Sequence, residues 1–316
     1  MKIIQQQLTI NEQLSGKRVD QALCTFLPEY SRSKIQDWIK QGFILLNNEI
    51  PKAKAKVYVG DVLQLDIPPT TKTYDQPEQI EFEIIYQDDD LFVVNKPAGL
   101  VVHPAAGHAS GTLLNGLLFR DPALEQLPRA GIVHRLDKDT TGVMVVARTL
   151  QAHTALVDAL QLRDIKREYV AITQGVVTAG RTIDEPIGRH PVDRKRMAVQ
   201  DNGKDAVTHF TVREKYKNHS LIDVQLETGR THQIRVHLAH LRYPLLGDQV
   251  YGGRLAIPKG VSVELEQLIR AFKRQALHAR RLSFAHPISG EAMSFTADLP
   301  ADLIQMIEVL QQDAEA

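Results

Sequence analysis

The chain has 316 residues, of which 43% are apolar and 24% are charged, and its 38 basic residues are balanced by 38 acidic ones. These proportions are typical of a globular protein and exclude a surface coated in positive charge, although a local basic patch is enough to bind nucleic acid. No apolar run approaches the roughly 20 residues that span a bilayer, and the N-terminus lacks the apolar core of a signal peptide, so we expect a cytoplasmic protein that does not enter membranes.

Residues 15–67 are predicted to form a compact unit of their own. Apolar side chains recur at helical spacing in two segments: Val19, Leu23 and Leu27 in the first, and Ile35, Trp38 and Ile39 in the second. Short strands are predicted over 43–46 and 62–67, because turn-forming residues flank these apolar stretches. The single cysteine, Cys24, cannot form a disulfide within the chain and is expected to pack among the apolar helix positions.

Basic residues decorate the second helix of this unit and the turn that follows it. They are Arg32, Lys34 and Lys40, followed by Lys52, Lys54 and Lys56. A local row of positive charge favours contact with the phosphates of a nucleic acid. The stretch 68–79 is polar, contains prolines and shows no periodicity, so it is predicted to be an interdomain linker.

Residues 80–312 are predicted to form a second, larger domain in which strands dominate. Strand patterns occur at 83–86, 91–94, 143–147, 168–172, 206–212, 221–226 and 276–284. Helical patterns occur at 112–119, 151–162, 231–241, 263–272 and 301–312. Because strands and helices do not alternate regularly, an α+β fold with a large mixed, mainly antiparallel sheet is favoured. The acidic tail after Gln312 is expected to fray.

The most informative stretch is Gly131–Gly142, with the sequence GIVHRLDKDTTG. Its Asp137 stands two residues after Arg135 and one before Lys138, and apolar, strand-like segments lead into and out of it. A charged connection between two strands places side chains at the edge of a sheet, where sites usually form. Neighbouring cations favour the charged form of a carboxylate, which suits a nucleophile or an electrostatic partner. An ordinary surface aspartate is the alternative.

Asp137 and Asp139 also fit the D-x-D-x-T pattern of Mg²⁺-dependent phosphatases, in which Asp137 would attack phosphorus. Such enzymes need a downstream acidic pair for the metal. The stretch Gly247–Gly252 begins like that motif but has glycine where the second carboxylate should stand. An apolar strand also follows the loop too soon, so this interpretation is disfavoured.

A second cluster lies in Thr228–His240 and contains three histidines, at 232, 237 and 240, which invite a zinc interpretation. Positions 232 and 237 lie roughly 140° apart on a helix, so their side chains do not share a face. Arg235 is more informative, because a helical arginine that points inward must find an anion, and Asp137 is available. A surface arginine is the alternative.

Three further segments are candidates for binding. Asn95–His108 is dense in proline and glycine, which predicts a shaped loop that either contacts a ligand or only connects elements. Tyr169 opens a predicted strand and suits either stacking on a base or packing in the core. Arg189–Arg196 is a basic cluster for which a solvated surface is the default and phosphate contact the alternative.

Taken together, these segments resemble the RluA-type pseudouridine synthases. The resemblance rests on Asn95–Leu100, Gly131–Gly142, Lys166–Tyr169, Thr228–His237 and Leu277–Arg280, which occur in the order found in that family. Residues 15–67 resemble the alpha-L RNA-binding fold of small-subunit ribosomal protein four, through Gly16–Asp20 and Ser31–Lys34. In that unit Asn48 and Glu49 stand where such domains often have glycine and lysine, which weakens one expected phosphate contact.

The resemblance implies that the chain isomerises uridines of 23S rRNA to pseudouridine without a cofactor or a metal. The members that it most resembles modify the stem-loop of helix 69, and another member with the same two domains acts on other uridines of that RNA. The partner would then be large-subunit rRNA, free or within a pre-50S or 50S particle. The chain is expected to act as a monomer.

The same resemblance assigns roles to residues. Asp137 would be the essential carboxylate, Arg235 its partner, and Tyr169 a stacking platform for the uracil that also accepts the proton from ring carbon five. Arg135 would fill the space that the flipped nucleotide leaves. Further contacts to RNA are expected from His134, Asn95 and Lys96, and in the small domain from Arg32, Lys34 and Lys40. Whether Asp137 attacks the anomeric carbon, attacks the uracil ring or removes a sugar proton stays open.

Two other classes of function remain at this point. A phosphatase built on Asp137 and Asp139 predicts activity that EDTA abolishes. A non-catalytic RNA-binding or ribosome-assembly protein, supported by the N-terminal domain alone, predicts that variants of Asp137 keep full biological function.

Overall fold

The computed structural model describes residues 4–27, 32–67, 76–104, 108–193 and 196–315. The chain divides into two compact units, Met1–Tyr74 and Asp75–Ala316. Most of the predicted linker, from 68 to 75, lies outside the described residues. No helix among the described residues is both long and apolar enough to cross a membrane.

The N-terminal unit is a small sheet covered by two helices. Its elements are β1 (Ile4–Thr9), α1 (Val19–Phe26), α2 (Arg32–Lys40), β2 (Ile44–Leu46) and β3 (Val62–Ile67). The strands form an antiparallel sheet in the order β1-β3-β2. Strand β1 lies before the predicted start of this unit at residue 15, because its glutamine-rich sequence carries little apolar signal. Cys24 packs against the apolar core of the unit, as the sequence predicts.

The second unit contains the larger sheet. Its strands are β4 (Glu83–Gln87), β5 (Leu91–Lys96), β6 (Thr141–Ala147), β7 (Lys166–Gln174), β8 (Arg181–Asp184), β9 (Ile187–Arg189), β10 (Met197–Val199), β11 (Val207–Lys215), β12 (His219–Leu226), β13 (Leu277–Ala285) and β14 (Ala292–Thr296). Its helices are α3 (Leu113–Arg120), α4 (Leu150–Leu162), α5 (Gln233–His240), α6 (Val263–Ala271) and α7 (Ala301–Glu315).

The large sheet has the order β4-β5-β6-β13-β7-β12-β11-β8, and β14 pairs with β13. The β6–β13 pair is parallel, whereas the other pairs of this sheet are antiparallel. The predicted α+β class with a mixed, mainly antiparallel sheet is therefore confirmed. The hairpin of β9 and β10 stands apart as a two-stranded sheet.

Apolar side chains cover both faces of the central strand β6, which is buried at every position. Met144 and Val146 belong to the cluster that includes α3 and α5, whereas Val143 and Val145 belong to the cluster that includes α4. This split follows from the alternation of side chains along a strand. Helices on both faces thus hold β6, and the loop that precedes it, in place.

The structure corrects three local predictions. The run Gly131–Val133 was expected to be strand-like, but Gly131 ends a short 3-10 turn, Pro128–Gly131, in which Arg129 and Ala130 have positive φ, and Ile132 forms only an isolated bridge with Val146. The short strands β8, β9, β10 and β14 carry too little periodic signal to have been predicted. The acidic tail does not fray at Gln312, because α7 continues to Glu315 and the buried Asp313 accepts a hydrogen bond from the Ser262 amide at 2.6 Å.

Candidate active site

Asp137 lies in the loop that leads into β6, and two glycines hold this loop close to the sheet. A Cβ on Gly131, at φ +80°, would stand 1.9 Å from the Ala147 carbonyl oxygen. A Cβ on Gly142, at φ +115°, would stand 2.1 Å from the Ala279 carbonyl oxygen. Only glycine fits such positions, so the glycines that bound the motif set the place of Asp137 against β6 and β13.

Arg235, in the first turn of α5, joins two carboxylates. Its Nη1 donates to Asp137 Oδ2 at 3.0 Å, and its Nε and Nη2 donate to the two oxygens of Asp248 at 2.7 and 2.9 Å. The Arg235 side chain is 7% exposed and that of Asp137 is 17% exposed. Arg235 therefore points inward and pairs with Asp137, as the sequence analysis proposed, and it also pairs with a second carboxylate, Asp248.

Asp248 is the buried partner that holds Arg235 in place. Its side chain is fully buried and accepts the amides of Val250 and Tyr251 at 2.8 and 3.0 Å. Burial alone would raise the pKa of Asp248, but the hydrogen bonds and charge of Arg235 outweigh burial and hold this pKa below its ordinary value. The pKa of Arg235, which burial alone would lower, is raised by the two carboxylates. Sequence reasoning noticed Asp248 only as part of an incomplete metal motif and missed this role.

Asp137 faces a cavity of about 1040 Å³, which we call the Asp137 cavity. Tyr169 and Arg235 line it too. Most of its other charged or titratable lining residues are basic or imidazole side chains: His103, Arg129, His134, Arg135, Arg163, Arg167, Arg230 and His232. Tyr169 is 7% exposed, and burial is the main reason that its pKa is raised. A cavity with this lining attracts a polyanion, and Asp137 is part of the lining.

The motif residues before Asp137 have different surroundings. Arg135 is exposed and lines the cavity, which fits the predicted contact with RNA. The Nε2 of His134 accepts the Val145 amide at 3.1 Å, which ties the loop to β6. Burial, with the charge of Arg167, lowers the pKa of His134 to about 3, so the imidazole is neutral and acts first as a structural link.

The predicted RNA contacts of Asn95 and Lys96 are not supported. Lys96 is fully buried, and its ammonium donates to the carbonyls of Pro97, Leu100 and Lys138, each at 2.8 Å. Burial lowers its pKa to about 7, against the opposing charges of Asp139 and Asp137. Lys96 therefore joins the loop after β5 to the loop of Asp137.

Asn95 is placed away from the Asp137 cavity. Its side-chain amide donates to Glu83 Oε2 on the neighbouring strand at 2.8 Å, and it lines a different cavity. Strand alternation turns Asn95 away from the side on which the loops meet, so its contact with RNA finds no support at the Asp137 cavity and stays a prediction. In the same loop His103 does line the Asp137 cavity, whereas residues 105–107 lie outside the described residues.

In the N-terminal unit, the predicted RNA-binding residue Arg32 is organised by a buried carboxylate. Arg32 donates through Nε and Nη2 to both oxygens of Asp20, at 3.0 and 3.1 Å, and Arg18 donates to the same carboxylate at 3.1 and 2.9 Å. Gln36 adds a hydrogen bond of 2.6 Å. Lys40 is exposed and pairs with Asp37 at 3.6 Å, and the side chain of Lys34 lies outside those that the structure describes.

The metal interpretations find no support among the described residues, where no group of three His, Cys, Asp or Glu side chains is arranged to hold an ion. Both ring nitrogens of His237 lie within hydrogen-bond distance of protein oxygens, Thr208 Oγ1 and the Glu185 carbonyl, at 2.9 Å each. Asp248, the other half of the phosphatase interpretation, is occupied by Arg235. In the basic cluster, residues 194 and 195 are not described, and the guanidinium of Arg196 lies 5.2 Å from the centre of the Tyr251 ring.

A carboxylate held by a buried arginine in the lining of a basic cavity is suited to an enzyme that acts on a polyanion. Comparison with protein families supplies the class: residues 90–240 match the family described as RNA pseudouridylate synthase, and residues 17–63 match the S4 domain. The first match includes Asp137, Tyr169 and Arg235 and ends before Asp248.

Individual proteins agree with these matches. The chain is 50% identical to Ribosomal large subunit pseudouridine synthase D of Xanthomonas campestris pv. campestris, over 98% of this chain and 93% of the relative. It is 49% identical to the protein of the same name in Escherichia coli K12, over 99% and 96%. Among solved structures, Human RNA Pseudouridylate Synthase Domain Containing 4 has a TM-score of 0.57 and 29% identity, covering 72% of this chain and 92% of that one.

The chain therefore belongs to the RNA pseudouridylate synthase family and is an RNA pseudouridine synthase with an S4 domain. The resemblance found in the sequence is confirmed. The phosphatase and the non-catalytic alternatives are set aside by this membership.

Proposed function

We propose that this chain converts uridines of large-subunit ribosomal RNA to pseudouridine, with Asp137 as the essential carboxylate. The observation that carries the proposal is the series Asp248–Arg235–Asp137, in which a buried ion pair presents one carboxylate to a basic cavity. The names of the relatives at about half identity support the RNA class. Within that RNA we propose the stem-loop of helix 69 as the target, and uridines elsewhere in 23S rRNA are the alternative.

The reaction moves the ribose from ring nitrogen one to ring carbon five of the same uracil. The composition of the nucleoside is unchanged, because the proton that leaves carbon five is balanced by one that ring nitrogen one gains. The residues must therefore extract the nucleotide, break the bond from the ribose to ring nitrogen one, hold the detached base and allow this exchange of protons. A stacked uridine is unpaired at a cost of a few kcal/mol, which contacts in the cavity must offset. Asp137 accepts a hydrogen bond from Arg235 Nη1 at 3.0 Å, so its carboxylate is held in position to act on the ribose or the ring.

Tyr169 and Arg135 complete the proposed machinery. Tyr169 lines the cavity beside Asp137 and offers a ring on which the uracil stacks, with a hydroxyl suited to accept the proton from carbon five. Arg135 is exposed and lines the same cavity, where it can occupy the space that the extracted nucleotide leaves in the RNA stem.

The N-terminal unit is proposed to dock the RNA by contacts with phosphates. Arg18 and Arg32 are 39% and 43% exposed and share the buried Asp20, so their charges are held in position at the surface. We also propose the domain division 15–67, 68–79 and 80–312, with residues 4–14 added to the first domain, because β1 pairs with β3 and Ile10 and Leu14 belong to the core of that domain. The full chain is proposed to act as a monomer in the cytoplasm, where ribosomal RNA is available.

The test combines chemistry with mapping. RNA labelled with tritium at carbon five of uridine should release tritium with the wild type, whereas Asp137→Asn should lose at least about 1000-fold in rate while it keeps its affinity for RNA. In a strain lacking the gene, carbodiimide modification and primer extension on 23S rRNA should show which pseudouridines disappear. Unchanged tritium release by Asp137→Asn would remove Asp137 from the mechanism, and an unchanged map would remove the ribosomal target.

A further inference from the structure

Arg167 is a buried arginine that the roles assigned so far do not use. It lies on β7 two residues before Tyr169, so the two side chains project from the same face of the strand, and both line the Asp137 cavity. Arg167 is 7% exposed. Its Nη2 donates to the Glu227 carbonyl at 2.9 Å, while its Nε is buried without a hydrogen-bond partner in the part of the chain that the structure describes.

The charge of Arg167 also lacks an acidic partner among the described side chains. The nearby carboxylate of Glu227 is engaged by Arg163 and His209 instead. A buried cation without a counter-charge carries a desolvation cost, and such cations are normally paired. Although its Nε is itself buried, a guanidinium that lines a cavity without a counter-charge indicates a place for a ligand that brings an acceptor and negative charge.

The neighbouring chain leaves space for the guanidinium of Arg167. A Cβ on Gly229 would lie 2.7 Å from Arg167 Nη1, so the chain leaves out a side chain where the arginine needs room. Three other arginines of the cavity, Arg129, Arg135 and Arg163, are exposed and suit the phosphates of an RNA backbone that stays near solvent. Arg235 is buried like Arg167, but it is paired with two carboxylates. The depth of Arg167, beside the tyrosine proposed to stack on the base, favours contact with the base itself.

We propose that Arg167 is a further catalytic residue, whose guanidinium binds a carbonyl oxygen of the extracted uracil and stabilises the negative charge that forms on the base. This inference rests on the proposed function of the Asp137 cavity. When the bond between ribose and ring nitrogen one breaks, its electron pair goes to that nitrogen and is delocalised onto the carbonyl oxygens O2 and O4. Asp137 balances this at the ribose, either by bonding to the anomeric carbon or by taking a proton from the neighbouring carbon.

The remaining steps return the charge. The new bond from carbon five to the ribose uses the electron pair of the base and displaces Asp137, or recovers the sugar proton from it. The proton on carbon five leaves to a base, and ring nitrogen one gains a proton. If Asp137 instead adds to the uracil ring, the pair moves onto O4, so a carbonyl oxygen gains charge in every route.

The test separates binding from chemistry with single-turnover rates and RNA affinities. Arg167→Met should lower the rate constant of isomerisation on the order of 100-fold, as for loss of one donor to an oxyanion, with the Kd for RNA changed less than about twofold. Arg167→Lys should recover part of the rate. Gly229→Ala should also lower the rate, because its methyl group displaces the guanidinium while the charge is kept.

Two matched arginines provide contrast. Arg163→Met, at an exposed position of the cavity, should weaken RNA binding and reduce its salt dependence. Arg213→Met, on β11 and paired with Asp223, lies outside the cavity lining and should change neither quantity. If Arg167→Met behaves like Arg163→Met, Arg167 binds phosphate and the inference is wrong. If it behaves like Arg213→Met while Asp137→Asn is inactive, the inference fails and the proposed function stands.

Thio-substituted RNA guards against a merely structural effect. Sulfur is a weaker hydrogen-bond acceptor than oxygen, so 4-thiouridine or 2-thiouridine at the target should slow the wild type at whichever oxygen Arg167 contacts. That slowing should vanish in Arg167→Met, whose melting temperature is measured alongside. An equal thio effect in both proteins would overturn the inference. Absence of pseudouridine with the wild type on ribosomal RNA would instead refute the proposed function.

Discussion

Each of the two units of this protein contains an ion pair between arginine and aspartate, but the buried partner differs: it is the aspartate in the N-terminal unit and the arginine in the second unit. In the N-terminal unit the carboxylate of Asp20 is fully buried, and its arginine partners, Arg18 and Arg32, are 39% and 43% exposed. In the catalytic unit Arg235 is buried, at 7% exposure, and its partner Asp137 reaches the cavity at 17%. The buried partner is the support, and the partner that reaches solvent or cavity is the charge that the unit presents.

Under the proposed function, this difference would let similar ion pairs serve different tasks. A supported arginine offers a fixed positive charge to phosphates, which need only position the RNA. A supported carboxylate offers a fixed negative charge to a reacting centre, where preorganisation lowers the barrier. The buried member is also shielded from water, so its hydrogen bonds are stronger and hold the geometry. The comparison makes predictions that differ in size.

The largest effect is expected from Arg235→Met. This change leaves the fully buried Asp248 without its cation, so we expect a loss of about 3–5 kcal/mol in the free energy of unfolding and a fall in rate of at least about 100-fold. Denaturant titration and tritium release measure the two. The double variant Arg235→Met with Asp248→Asn should regain stability but not activity, and recovery of activity would contradict the role of Arg235 as support.

The next largest effect is expected from Asp20→Asn, which removes the support of the presented arginines. Arg18 and Arg32 would lose their fixed orientation, so the affinity for RNA should fall about tenfold, and the free energy of unfolding by about 1–3 kcal/mol. The rate constant of isomerisation at saturating RNA should be unchanged. A fall in that rate with unchanged affinity would show that the two units do not divide the tasks in this way.

The dependence of stability on acidic pH tests whether the charged carboxylate of Asp20 supports Arg18 and Arg32. Burial would raise the pKa of Asp20, but hydrogen bonds from Arg32, Gln36 and Arg18 outweigh burial and hold this pKa below the ordinary value of 3.8. A lowered pKa contributes stability that is present above the unfolded-state value and is lost as the pH falls through the folded-state value. The difference in unfolding free energy between the wild type and Asp20→Asn should therefore be constant near neutral pH and shrink below pH about 4. A difference that grows on acidification would reverse the assignment.

The smallest effect is expected from Lys40→Gln on α2. Lys40 is 73% exposed and pairs with Asp37 at 3.6 Å, a surface contact that contributes at most a few tenths of a kcal/mol. If Lys40 contacts a phosphate, the slope of log Kd against log salt should fall by about one in magnitude while base preference stays the same. An unchanged slope would remove Lys40 from the RNA contacts.

Most elements of the second unit could be predicted from the periodicity of apolar residues. The predictions that the structure does not support concern residues whose neighbours in the fold are remote in sequence. The central strand β6 was predicted because its apolar run is continuous, and α4 because its spacing is helical. Lys96 was predicted to contact RNA, but its acceptor at Lys138 lies 42 residues away and buries it. Short strands such as β9 and β10 have only local pairing and were missed.

The same distinction holds within the site. The motif around Asp137 could be found from the sequence because its glycines and charges are contiguous, and the inward arginine could be paired with it by charge. Asp248, which lies 13 residues from Arg235, was noticed without its partner. Arg167 was part of a recognised motif, but its missing counter-charge becomes visible only when the surrounding side chains are in place.

The sequence by itself determined the class of the fold, the order of the motifs and the identity of the presented carboxylate, because these depend on local spacing and residue type. Only the tertiary structure decided which member of each ion pair is buried. Burial depends on contacts between segments far apart in the chain, such as Asp137 and Arg235, which are 98 residues apart. Depth in the fold therefore separates the buried Arg235, which supports a carboxylate, from the exposed Arg18 and Arg32. Arg167 stands out because it is buried but has no acidic partner among the described side chains.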